Sequence, residues 1–94
     1  MNYAKADKLA ELEILDVPPI DPAVPMYIVL AYALRIRSGP GVEYGEIGGL
    51  YQNDVRTVYA VVQDKYGNPW AKLSNLQDQY ACIQYGSNVY MRQV

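Results

Sequence analysis

The run Leu34-Arg35-Ile36-Arg37-Ser38-Gly39-Pro40-Gly41 most constrains what this chain can become. Leu34 and Ile36 fall on one face of an extended segment and Arg35 and Arg37 on the other, the two-residue period of a half-buried strand. Ser38, Gly39, Pro40 and Gly41 then remove side-chain bulk and regular backbone, so the chain must reverse. A strand that ends in a forced turn needs a partner strand. The residues from 26 onward therefore read as a small β-structure closing on this strand, and those before 26 as an attachment to it.

Further strands can be marked out by the same alternation. Residues 26–37 read as one long strand with Ile28, Leu30, Tyr32, Leu34 and Ile36 on a common face. Ile47, Gly48, Gly49 and Leu50 suggest a bent, closely packed connection. Residues 55–62 are rich in β-branched side chains and read as a second strong strand. Residues 64–69 form a turn by composition, 70–73 a strand, 74–79 a polar loop, 80–83 a strand, 85–88 a turn and 89–94 a closing strand. Five to six short strands punctuated in this way mean an all-β barrel or sandwich. No internal repeat is visible.

Residues 2–17 favour helix, with Asn2 as a fair N-cap and Ala, Leu, Lys and Glu dominating. Tyr3, Ala6, Leu9, Ala10, Ile14 and Val17 share a broad face interrupted by Glu13, while Leu12 and Leu15 lie outside it. An isolated helix of this length is marginal in water, so Leu9, Leu12, Ile14 and Leu15 are candidate interface residues for docking or self-association. Pro18, Pro19, Pro22 and Pro25 make residues 18–25 a stiff linker. The expected organisation is a helical segment over 1–17, this linker, and a β-domain over 26–94.

With 94 residues the chain suffices for one domain, and its core must be dense. It uses ten tyrosines, one tryptophan and no phenylalanine, a choice suited to positions half in a core and half in a binding surface. The net charge of −2 and scattered basic residues argue against nucleic-acid binding, which needs a concentrated basic patch. The lone Cys82 reads as a small buried hydrophobe, and the absence of histidine removes the usual general base and metal ligand. No metal or cofactor is implied. No apolar signal segment follows residues 1–8, and the apolar run 26–34 falls far short of the ~20 residues of a membrane-spanning helix. The sequence thus reads as that of a soluble protein of undetermined location, reaching the cell exterior, if at all, by lysis, in a particle or within a longer precursor.

Residues 26–94 resemble the bacterial SH3 (SH3b) family. Its Leu-Asn-Val-Arg-Ser-Gly-Pro strand and turn is matched by Leu34 to Pro40, with Tyr44 a few residues on. Ile47-Gly48-Gly49-Leu50 matches its Ile-Gly-x-Leu segment, Asn53-Asp54 its Gly-Asp turn, and Trp70-Ala71-Lys72-Leu73 its Gly-Trp-x-Lys-Val strand. Arg35 replaces the usual Asn, Arg56 falls where an apolar residue is common, and Tyr80-Ala81-Cys82-Ile83 replaces a late Gly-Trp-Val segment whose glycine is here Gln79. The resemblance implies a small SH3-like barrel that binds rather than catalyses, with peptidoglycan or another extended peptide as its partner. It places ligand contacts at Tyr44, Trp70 and Tyr80, with Tyr51, Tyr59, Tyr66 and Asn68 as neighbours in the expected turns.

Catalytic readings are weak on the same residues. Cys82 has no His partner, and Glu43 and Glu46 read as solvated loop charges rather than a carboxylate pair across a cleft. The expectation is a non-enzymatic binding module, for example in a phage lytic or tail protein. The alternative is a protein–protein assembly module, a virion component or small inhibitor that oligomerises or docks through the N-terminal helix. If that helix is an assembly device, a chain lacking residues 1–25 will sediment as a monomer while the full chain sediments as an oligomer. A full-length monomer would remove the assembly role.

Overall fold

The computed structural model describes residues 24–94. The expected helix, most of the linker, and the candidate interface residues Leu9, Leu12, Ile14 and Leu15 lie outside the described residues. Ten strands follow in order: β1 (Met26–Val29), β2 (Ala33–Arg37), β3 (Glu46–Tyr51), β4 (Val55–Thr57), β5 (Ala60–Gln63), β6 (Pro69–Lys72), β7 (Tyr80–Cys82), β8 (Gln84–Tyr85), β9 (Asn88–Val89) and β10 (Met91–Gln93). All pairings are antiparallel. A five-stranded sheet runs β3-β2-β7-β6-β5, a three-stranded sheet runs β10-β1-β4, and β8-β9 is a separate hairpin.

The all-β expectation holds, but three of the expected strands are each broken in two. Residues 26–37 are not one strand. Val29 is fully buried, and Leu34 and Ile36 are buried too. Val29 and Leu34 are an odd number of positions apart, so a straight strand would put them on opposite faces. The chain bends at 30–32 instead, where Leu30 N and Ala31 N both donate to the Tyr90 carbonyl at 2.8 and 3.4 Å. Tyr32, expected to face inward, is 85 % exposed at this bend.

The run 55–62 breaks for a related reason. β4 pairs with β1 and β5 pairs with β6, so the chain passes from one sheet to the other between them. Val58 N donates to Pro25 O on the first side, and Tyr59 N to Lys72 O on the second, both at 2.9 Å. Val58, at the corner, is buried. Tyr90 likewise separates β9 from β10 within the expected closing strand. Each break lets a short chain serve two sheets.

The principal core lies between the sheets and joins Val29 and Met91 to Leu34, Ile36, Leu50, Ala71 and Ala81. Trp70 and Cys82 are cross-strand neighbours beside Ala71 and Ala81. By strand alternation they face away from that core. They are nonetheless buried, so the five-stranded sheet has a second dry layer on its other side.

Two turns follow strands of this sheet. After β3, Asn53 takes a left-handed backbone with φ of 76°, a conformation Asn tolerates better than most residues. Asp54 closes this turn by accepting from Tyr51 N at 2.8 Å. After β2, Gly39 is buried beneath the ring of Tyr44, and a Cβ at Gly39 would overlap that ring. Gly39 is therefore required for close approach. Gly39→Ala should cost roughly 1–3 kcal/mol of stability in urea unfolding, and much of that cost should vanish in a Tyr44→Ala background. Equal costs in both backgrounds would mean that the ring does not set the requirement.

Candidate functional site

Asp64 closes the turn between β5 and β6 and organises the outer layer. Its Oδ1 accepts from Tyr66 N and Asn68 N, each at 2.9 Å, which is how a short acidic side chain mimics backbone in a turn. Its Oδ2 accepts from Asn68 Nδ2 at 3.2 Å and from Trp70 Nε1 at 3.0 Å. Burial alone would raise its pKa, but the four N–H donors outweigh burial and hold it below the ordinary value of 3.8. Asn68 extends the network, its Oδ1 accepting from Gly86 N at 3.0 Å across to the β8-β9 turn.

Beside this network is an open cleft of about 650 Å³ on the outer face of the five-stranded sheet. Trp70 and Cys82 form its floor. Ala33, Arg35 and Arg37 of β2 line it with Glu46, Gly49 and Tyr51 of β3, while Val42, Tyr85 and Tyr90 complete the walls. The β2-β3 register shifts between Ile36 and Arg37, so Ile36 opposes Gly48 and Arg37 opposes Glu46. Ile47 is thus a bulged residue, and its insertion places Glu46 within the arginine pair's reach. Arg35 Nε meets Glu46 Oε1 at 3.1 Å, and Arg37 Nη1 donates to the Tyr44 carbonyl at 2.9 Å.

The residues expected at a site separate into two groups. Tyr51 and Trp70 reach the cleft, but Trp70 is only 1 % exposed, so it is floor rather than an open stacking platform. Tyr44 packs on the Gly39 turn next to the cleft and holds Arg37 through its carbonyl. Tyr80 pairs with Arg37 along the strands but is not part of the lining. Tyr59 lies at the sheet crossover, Tyr66 at the β5-β6 turn under the Lys65 ammonium, and Asn68 in the Asp64 network. None of these last three lines the cleft.

Arg35, Arg37, Tyr85 and Tyr90 are lining residues that the sequence did not single out, and Glu46, read as a solvated loop charge, instead opens β3 and lines the cleft. The signal for the arginines was present: both occupy the polar face of the best-defined strand. Nothing local marked Tyr85 or Tyr90, which lie more than 45 positions further along the chain. The Cys82 thiol is pushed up to about 11, first by burial and then by the Asp64 charge, so it stays protonated at neutral pH. Among the described residues no three His, Cys, Asp or Glu side chains gather as metal ligands.

No family model, curated protein or solved structure matches the chain.

Because the folded Asp64 carboxyl titrates below its unfolded counterpart, its stabilisation is fully present above pH 3.8 and is lost as pH falls through the lower folded value. Asp64→Asn should lower stability at neutral pH and flatten the acid limb of the stability curve. Urea unfolding at several pH values, followed by emission of the sole tryptophan, Trp70, measures both. An unchanged acid limb would show that Asp64 does not carry this dependence.

Proposed function

We propose that residues 26–94 are a non-catalytic binding module, an SH3b-like barrel that takes an extended peptide of the bacterial cell wall or of a protein partner. The observation that carries this reading is the tyrosine-walled cleft on the outer face of the five-stranded sheet. Tyrosine offers a broad apolar face and a polar tip with few rotatable bonds, which suits contact with a peptide backbone. Among the described residues β3 is an edge strand, paired with β2 alone. Its backbone groups beside Gly48 and Gly49 can hydrogen-bond an added strand, with little side-chain bulk in the way. The passage of the chain between sheets at 30–32 and 58–59 accords with a barrel, in which strands turn corners from one sheet to the next. A protonated Cys82 in the floor favours binding over nucleophilic chemistry.

Retention of the full chain on purified Gram-positive and Gram-negative sacculi tests this reading. Two tyrosines of equal exposure serve as site and control: Tyr51, 65 % exposed in the cleft wall, and Tyr66, 66 % exposed away from it. Tyr51→Ala should weaken retention by roughly tenfold, the scale of losing an aromatic contact at an interface centre, and Tyr66→Ala should leave it unchanged. No retention on either wall would remove the cell-wall partner. Equal behaviour of the two folded variants would remove the cleft.

A further inference from the structure

We infer that the cleft selects peptides presenting a carboxylate, held by Arg37 with Arg35 beside it; this rests on the peptide-binding reading above. Among the described residues the ionised lining residues are Arg35, Arg37 and Glu46, so the rim they form is net positive on a chain whose own net charge is −2. A positive cleft favours an anionic ligand.

The two guanidinium groups are held in different ways. Arg35 meets Glu46 in an exposed pair, with 66 % and 55 % of the side chains accessible, an arrangement of small net strength. Arg37 is fixed by a neutral acceptor, the Tyr44 carbonyl, and among the described residues it meets no carboxylate. Among the described residues its orientation is set by a neutral acceptor and not by a paired carboxylate. A guanidinium has five N–H donors, and one of Arg37's is engaged with Tyr44. Those remaining match a carboxylate's paired oxygens.

The neighbouring groups reinforce the choice. Cys82 is protonated and contributes no negative charge at neutral pH. Asp64 lies behind the floor, where its charge is felt at Cys82, but four N–H donors occupy its oxygens, so it does not compete for the arginines. Among the described residues Glu46 is then the one lining carboxylate, and an incoming carboxylate competes with it for Arg35. Tyr51, Tyr85 and Tyr90 remain to contact the rest of the peptide.

The ligand carboxylate can be a chain terminus or an acidic side chain. Three N-acetylated Ala/Gly hexapeptides separate the two sources: one with a free C-terminus, one amidated, and one amidated with a central Glu. Each is titrated into the ¹⁵N-labelled full chain at low and high salt. One or both of the carboxylate peptides should shift the amides of Arg35, Arg37, Gly49 and Tyr51, and bind about tenfold more tightly than the neutral peptide. That advantage should shrink with salt.

Arg37→Gln should abolish the advantage, and Glu46→Gln should increase affinity by freeing Arg35. If Arg37→Gln disturbs resonances throughout the domain, Arg35→Gln, which leaves the Tyr44 contact in place, replaces it and should reduce the advantage. Neutral and carboxylate peptides binding the cleft equally would overturn the carboxylate inference and leave the peptide cleft standing. An unchanged or weakened affinity in Glu46→Gln would also overturn it. Cleft amides that move with none of the three peptides would overturn both.

Discussion

The Asp64 carboxylate is the interaction on which the outer half of this domain depends. It is a negative charge with little access to water, and its two oxygens together take four N–H donors from Tyr66, Asn68 and Trp70. Such a charge is costly to bury alone and favourable when each lone pair is matched. The matching fixes the β5-β6 turn, and it fixes the orientation of the Trp70 indole over β7. Asn68 then ties the β8-β9 hairpin to the same point. The cleft has a firm floor because a carboxylate holds its largest side chain.

A second constraint shapes the wall opposite. The turn after β2 brings a tyrosine ring directly onto a glycine, and that ring's residue returns its carbonyl to Arg37. Packing and electrostatics are thus coupled in one loop. The small residue permits the close approach, which positions the carbonyl, which in turn orients a cation at the cleft. The bulge at Ile47 completes the arrangement by setting Glu46 across from Arg37, where it pairs with Arg35. Arg35 adds a second positive charge beside Arg37.

Much of the local structure was legible from residue type. The alternation at Leu34 and Ile36, the turns at Gly39, Asn53 and Asp64, and the all-β class follow from side-chain shape and backbone preference over a few neighbours. The strand breaks were less legible. Ile28, Leu30 and Tyr32 continue an alternation that looks unbroken, yet Val29 is the residue buried in β1. What ends the strand is the Tyr90 carbonyl, contributed from the far end of the domain. The cleft lining was half legible: Tyr51 and Trp70 could be named, while Tyr85, Tyr90 and the arginines could not.

The sequence by itself determined which side chains share a face and where the chain must turn, because both are set within a few residues by Cβ alternation and φ preference. Only the tertiary structure decided which faces are dry. Ala71 and Trp70 point to opposite sides of one strand, and both are buried because different distant segments cover each side. Alternation cannot report that covering. It arises from the meeting of elements such as the Asp64 turn, Tyr85 and Tyr90, and the cleft is the space their meeting leaves open.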